Sequence, residues 1–92
     1  MIKVNEYFDG KVKSLGFELS ATPYTVGVIM EGTYTFNTDK IERLQIVAGE
    51  LDIKPAEGTW QTLRTGDSIT ITAGTSFDLK LKDPAAYICA YT

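Results

Sequence analysis

The stretch VGVIMEGTYTFNT, from Val26 to Thr38, alternates side-chain types and decides the fold class of this chain. Every second residue belongs to a mainly apolar series: Val26, Val28, Met30, Gly32, Tyr34 and Phe36. A period of two predicts a β-strand with this series on one face. Because the stretch is longer than the about 5–6 residues of an ordinary strand, we expect Gly32 to mark a bend or bulge within it. A bent strand of this kind is typical of a small barrel.

Similar alternation continues on both sides of this stretch. It predicts strands over Lys11 to Phe17, Leu44 to Ala48, Leu51 to Lys54, Trp60 to Leu63, Ser68 to Thr72, Phe77 to Lys82 and Ala86 to Thr92. Met1 to Phe8 is interpreted as a short lead-in. In the last strand, Tyr87, Cys89 and Tyr91 share one face. About eight strands with turn residues every 8–12 positions, and no helix, predict an all-β sandwich or barrel in a single domain, residues 1–92.

Composition excludes several classes of function. The chain of 92 residues has a net charge of −3 and no basic block, which argues against nucleic-acid binding. It contains no histidine, so histidine-based acid–base catalysis is excluded and a transition-metal site is disfavoured. No apolar run is long enough for a membrane span or a secretory leader. The single cysteine, Cys89, cannot form an internal disulfide, and we expect a cytoplasmic protein.

Two segments resemble the motifs of the cupin superfamily of jelly-roll barrels. In the first, Glu42 and Gly49 keep the motif's spacing between glutamate and glycine. In the second, GDSITITAGTSF, Gly66 and Gly74 hold the glycine positions, with Thr72 at the proline position and Phe77 at the histidine position. The histidine pair of the first motif is also missing. The resemblance therefore implies the barrel without its metal.

A closer resemblance extends over nearly the whole chain. The strings NEYFDGKVKSLGF, VGVIMEGTYTF and YICAY resemble the small pyrimidine/purine nucleoside phosphorylase family, a bacterial single-domain cupin family. The resemblance implies that phosphate cleaves purine and pyrimidine nucleosides to the free base and alpha-D-ribose 1-phosphate. It also implies a homodimer and no cofactor beyond inorganic phosphate. The chain departs from the family's pattern at Thr72-Ala73, where Pro-Gly is usual.

Candidate phosphate ligands are Lys11 and Lys13, which are two residues apart and therefore on the same side of a strand. Two ammonium groups on one face can hold a dianion. The alternative is a solvated edge, where lysines discourage aggregation. Arg64 is a further candidate, although its position in a turn suggests simple exposure.

The candidate catalytic carboxylates are Glu31 and Glu42. Glu31 could bind the ribose hydroxyls, stabilise positive charge at C1′, or act as an acid if burial raised its pKa. Alternatively it faces solvent, because alternation alone does not show which face is buried. Glu42 occupies the cupin carboxylate position, which points into the barrel in metal-binding relatives; the alternative is a surface charge beside Arg43.

An aromatic pocket for the base could be formed by Tyr34, Phe36, Phe77, Tyr87 and Tyr91. Stacking on an aromatic ring does not depend on the identity of the base, so it would explain tolerance of purines and pyrimidines alike. The alternative for most of these rings is the barrel core. Cys89 has no visible base partner and is interpreted as a small buried apolar residue.

Two functions follow from this sequence. The first is a metal-independent nucleoside phosphorylase. The second is a non-catalytic cupin that has lost its metal site and binds a small ligand. A metal-dependent oxygenase or isomerase is nearly excluded because histidine is absent.

Overall fold

The computed structural model describes residues 1–92 and contains ten strands and no helix. The strands are β1 (Lys3–Tyr7), β2 (Val12–Leu19), β3 (Thr22–Ile29), β4 (Gly32–Thr38), β5 (Glu42–Ala48), β6 (Glu50–Pro55), β7 (Gln61–Arg64), β8 (Ser68–Ile71), β9 (Thr75–Leu81) and β10 (Ala85–Tyr91). The all-β prediction is confirmed. The strand count exceeds the predicted eight because the lead-in forms β1 and the long stretch divides into β3 and β4. No helical segment that could cross a bilayer is present.

The strands form two antiparallel sheets. The six-stranded sheet has the order β1-β2-β3-β10-β5-β8, and the four-stranded sheet has the order β4-β9-β6-β7. One cluster of 14 buried apolar residues joins them, with Ile29 and Ile46 from the six-stranded sheet and Ile53 and Leu79 from the four-stranded sheet. Because the four-stranded sheet is narrower, part of the inner face of the wider sheet lies beyond the core.

The single bent strand predicted over Val26 to Thr38 is wrong, because the chain changes sheet inside it. β3 pairs with β2 and β10 in the six-stranded sheet, whereas β4 pairs with β9 in the other. The sequence pattern did not show which side of this stretch is buried, and in the structure its apolar series faces outward over the first half. Val26 and Val28 are 40% and 49% exposed, and Ile29 between Val28 and the break is 2% exposed. From Tyr34 onward, the even-numbered residues face inward.

The change of sheet is located at the break between β3 and β4, where the inward-facing series changes from odd-numbered to even-numbered residues. Gly32 adopts a φ of +146°, a conformation that side chains rarely tolerate. The Tyr34 hydroxyl donates to the backbone oxygens of Met30 and Glu31 at 2.9 and 3.2 Å. Gly32 thus marks a change of direction, as expected, and the Tyr34 hydroxyl ties the two carbonyls of the break to the core.

The two-residue loop between β2 and β3 provides a test of backbone strain. Leu19 pairs with Thr22, and both loop residues, Ser20 and Ala21, have positive φ values of 52° and 65°. This is the geometry that Asn-Gly adopts at little cost. We expect the double substitution Ser20→Asn and Ala21→Gly to raise the free energy of unfolding by about 1 kcal/mol, as measured by urea denaturation.

The matched control is Ala56→Gly in the exposed β6–β7 loop, where φ is not positive. There, glycine only adds freedom to the unfolded chain, so stability should stay equal or fall. Equal effects of the double substitution and of Ala56→Gly would show that no strain is stored in the loop.

Candidate active site

A cavity of about 240 Å³ opens between the two sheets. It is lined by Tyr7, Ser14, Thr25, Ile29, Phe36, Asn37, Thr38, Asp39, Glu42, Leu44, Phe77, Leu79, Tyr87 and Tyr91. Five of the predicted site residues are among these: Phe36, Glu42, Phe77, Tyr87 and Tyr91. The predicted carboxylate at the cupin position and four of the five predicted aromatic residues therefore share one space.

The four-stranded sheet contributes an aromatic wall. Phe36 of β4 pairs directly with Phe77 of β9, and their rings stack with centroids 5.6 Å apart and planes at 20°. Phe77 is buried, Phe36 is half-buried, and both residues line the cavity. Such a wall suits a planar heteroaromatic ring.

The opposite wall belongs to the six-stranded sheet and is polar. Alternation along β10 directs Tyr87, Cys89 and Tyr91 inward, as predicted, while β2 and β3 contribute Ser14 and Thr25. Glu42 begins β5 directly opposite Tyr91 and shares the inward side with Leu44 and Ile46. Hydroxyl groups and one carboxylate therefore converge on a space whose other side is aromatic.

Hydrogen bonds connect these polar groups. Thr25 Oγ1 and the Tyr91 hydroxyl are 2.9 Å apart, and Cys89 Sγ donates to Glu42 Oε1 at 3.4 Å. Burial, and then the adjacent Glu42 carboxylate, raises the pKa of the Cys89 thiol to about 12. Burial likewise raises the pKa of the Tyr91 hydroxyl. Both groups stay protonated at neutral pH, so the polar wall presents donors, and Cys89 is no nucleophile.

The Tyr87 ring of β10 lies over β3, and it can do so because the β3 residue beneath the ring is Gly27. Tyr87 pairs with Gly27, which in turn pairs with Ser14. A Cβ on Gly27 would be 2.7 Å from the Tyr87 ring and hydroxyl and 2.8 Å from the Lys13 backbone oxygen. Burial raises the pKa of the Tyr87 hydroxyl, and the nearby Ser14 hydroxyl opposes this shift. Gly27 thus permits the tyrosine to reach Ser14.

The charge of the cavity is negative. Asp39 and Glu42 line it, and no lysine or arginine does. A carboxylate in a partly dry space stabilises developing positive charge, such as that of an oxocarbenium-like sugar. The cavity lining favours a cationic transition state, whereas an anion would rely on hydroxyl donors.

The residues do not fit the metal that many cupins hold. Phe77 occupies the position of a motif histidine and is buried in the core, where a carbon ring replaces a ligand. No group of three or more acidic, cysteine or histidine side chains lies close enough to hold an ion.

Four other predicted site residues lie outside the cavity. β2 directs Val12 and Ser14 inward, so Lys11 and Lys13 face outward, and Lys13 Nζ is 3.4 Å from Glu6 Oε1. Glu31 is exposed at the break between the sheets. Tyr34 is in the core, where its hydroxyl bonds the backbone. The alternation rule identified which residues share a face but not which face is buried.

The sequence analysis missed several cavity residues, including Tyr7, Ser14, Thr25, Asn37 and Asp39. Ser14 is 3% exposed, but it lies between two lysines on a strand whose two sides both mix polar or small residues with apolar ones. Asn5 Nδ2 donates to Ser14 Oγ at 3.2 Å across β1 and β2. The available signal was that Ser14, a small polar residue, lies on the same side of β2 as the apolar Val12.

Two strand glycines provide a matched test of how Tyr87 is seated. We expect Gly27→Ala to lower the free energy of unfolding by about 1–3 kcal/mol, since the new methyl group overpacks the ring and the backbone. Gly16 faces the same side of the sheet, and a Cβ there would meet only ordinary contacts, at 3.7 Å or more. Gly16→Ala should be neutral or slightly stabilising. Urea denaturation checks both, and equal stability losses would refute the argument.

Comparison with known proteins shows the family to which this chain belongs. A model of the pyrimidine/purine nucleoside phosphorylase family matches residues 2–91. Proteins with that name from Magnetococcus marinus and Aeromonas hydrophila are 46% and 48% identical over 92 residues, covering 99% of this chain and 99% and 98% of theirs.

Solved structures agree as well. A protein of unknown function from Vibrio parahaemolyticus is similar with a TM-score of 0.95 and 43% identity, covering 100% of this chain and 99% of its own. An RmlC-like cupin from Shewanella frigidimarina has a TM-score of 0.79 at 14% identity, covering 98% and 82%. The predicted cupin-type fold is thereby confirmed. The chain belongs to the pyrimidine/purine nucleoside phosphorylase family.

Proposed function

We propose that this protein is a pentosyltransferase that phosphorolyses purine and pyrimidine nucleosides in the cytoplasm without a metal ion. The products are the free base and alpha-D-ribose 1-phosphate. The observation that carries the proposal is the pairing of two unlike walls in one cavity. The stacked Phe36 and Phe77 rings face a line of hydroxyl groups that surrounds the Glu42 carboxylate. Relatives named for this activity support it.

Each wall has a role in the proposed reaction. The base lies against the Phe36 and Phe77 rings, which accept one-ring and two-ring bases because stacking needs no particular hydrogen-bonding edge. The sugar faces Glu42, whose negative charge stabilises C1′ as it becomes oxocarbenium-like. The protonated hydroxyls of Tyr87 and Tyr91 donate to phosphate oxygens in a cavity that lacks a cation.

The bond changes balance without a cofactor. A hydrogen phosphate oxygen bonds to C1′ as the bond between C1′ and the base nitrogen breaks. The bonding electron pair leaves with the nitrogen, and the proton of hydrogen phosphate ends on the base. Binding both reactants between two fixed sheets supplies the alignment that this exchange requires.

A phosphorolysis assay with chelator tests the proposal. Adenosine and uridine should each release base only when phosphate is present. Glu42→Gln keeps the shape of the side chain and removes its charge, so kcat should fall at least about 100-fold. Glu50→Gln, an exposed change on β6, is the matched control and should retain wild-type rates.

Two further variants decide between the candidates within the site. If Glu31→Gln loses activity while Glu42→Gln keeps it, the carboxylate assignment is wrong. If the double variant Lys11→Ala and Lys13→Ala selectively raises the KM for phosphate, the lysines bind phosphate despite facing outward. Base release without phosphate would identify a hydrolase.

The absence of a cation from the cavity lining favours one alternative function. A cavity that binds nucleosides but cannot hold phosphate would make the protein a ligand-binding cupin. Adenosine binding by calorimetry, with no base released under any condition, would establish that alternative.

We also propose that the protein is a homodimer joined through the outer face of the six-stranded sheet. Val4, Leu15 and Val26 pair in one row across β1, β2 and β3, and all three are exposed. Phe17 stacks on Tyr24 at 5.5 Å in the next row. A contiguous apolar sheet face of this kind marks an interaction site, and a second copy presents the same face.

Light scattering after gel filtration tests the dimer. The wild-type mass should be twice that of one chain, and Val26→Glu should give the mass of one chain, because it places two like charges in the interface. Thr33→Glu, on the exposed face of β4, is the control and should remain dimeric. A monomeric wild-type protein, or a dimeric Val26→Glu variant, would contradict the proposed face.

A further inference from the structure

The tip of the β1–β2 hairpin has a backbone that its residues do not favour. Phe8 and Asp9 have φ values of 53° and 56°, and Gly10 follows at 86°. The Gly10 amide donates to the Tyr7 oxygen at 3.2 Å, which closes a tight turn around Phe8 and Asp9. A bulky residue in the left-handed region is a genuine outlier, and glycine or asparagine would fit there with less strain. Such strain persists only where surrounding contacts hold it.

Aromatic contacts between the β1–β2 hairpin and the four-stranded sheet hold the strained turn in place. The Phe8 ring, from the six-stranded sheet, packs edge-on against Phe36 at 5.3 Å and Tyr34 at 5.0 Å, both in β4 of the four-stranded sheet. Tyr7, its neighbour, lines the cavity and lies edge-on to Phe36 at 6.3 Å. Phe8 remains 44% exposed, so it packs at the surface and not in the core.

We propose that Phe8 is a positioning residue that supports the Phe36 ring from outside the cavity, so that Phe36 and Phe77 form a fixed surface for the base. This inference rests on the proposed function and deepens it by assigning the base-binding end of the cavity. Phe36 has Phe77 stacked on one side and Phe8 edge-on from the hairpin tip. Without Phe8, the Phe36 ring gains freedom, and the hairpin keeps only the Tyr7 ring as an aromatic contact to β4.

The turn itself supplies matched variants. Phe8→Gly removes both the ring and the backbone strain, Asp9→Gly removes strain at the adjacent residue and keeps the ring, and Phe8→Tyr keeps the ring. We expect Phe8→Gly to raise the KM for both adenosine and uridine about fivefold or more, the weight of an aromatic pair. Its KM for phosphate should stay within about twofold of wild type, as should all constants of Asp9→Gly and Phe8→Tyr.

A role in stability alone would change both KM values alike or reduce only the amount of active protein. Either result, or an unchanged nucleoside KM in Phe8→Gly, overturns the proposal. Adenosine affinity measured by calorimetry on the same variants keeps the two proposals distinguishable. If no base is released but Phe8→Gly still weakens adenosine binding about fivefold, the phosphorylase function fails and the positioning role stands. If wild-type protein neither binds nor cleaves adenosine, both fail.

Discussion

The change of sheet between β3 and β4 is the constraint on which the rest of the structure depends. Gly32 adopts a φ open to glycine, and the Tyr34 hydroxyl holds the carbonyls of Met30 and Glu31. Since the inward-facing series changes there from odd to even residues, β3 can present Thr25, Gly27 and Ile29 to the interior while β4 presents Tyr34 and Phe36. Without that change, one wall of the cavity would face solvent. Fold and site therefore share one local cause.

The two walls divide the proposed chemistry between them. The four-stranded sheet places stacked rings at the cavity, and the six-stranded sheet places hydroxyls around one carboxylate. Burial keeps Tyr91 and Cys89 protonated, so the polar wall combines donors with the Glu42 carboxylate, and Asp39 adds a second carboxylate to the cavity lining. Two residues outside the cavity lining support this arrangement. Gly27 leaves room for the Tyr87 ring, and Phe8 packs against the Phe36 ring. Hydroxyl donors and a carboxylate suit a sugar and its phosphate acceptor, and rings suit a base.

Much of the fold could be predicted from alternation, because β5, β6, β8 and β9 each have one clearly apolar side. The inward position of Glu42 could be predicted for the same reason, because Glu42 lies on the same side of β5 as Leu44 and Ile46. The outward position of Val26 and Val28 could not be predicted, because the outer face of their sheet is apolar as well and a pattern of period two does not say which side is buried. The same ambiguity left Lys11 and Lys13 unplaced. Phe8 could not be found at all, because its left-handed turn uses residues that do not favour one.

The central claim is that base and sugar lie in the cavity between the sheets, in a defined order. The most direct measurement is a crystal structure of the protein with adenosine and with a phosphate mimic. The account predicts adenine against the Phe36 and Phe77 rings, the ribose facing Glu42, and the anion beside the Tyr87 and Tyr91 hydroxyls. Adenosine bound elsewhere, such as on the outward face of β2 beside Lys11 and Lys13, would contradict it, as would a reversed order with the ribose on the aromatic wall.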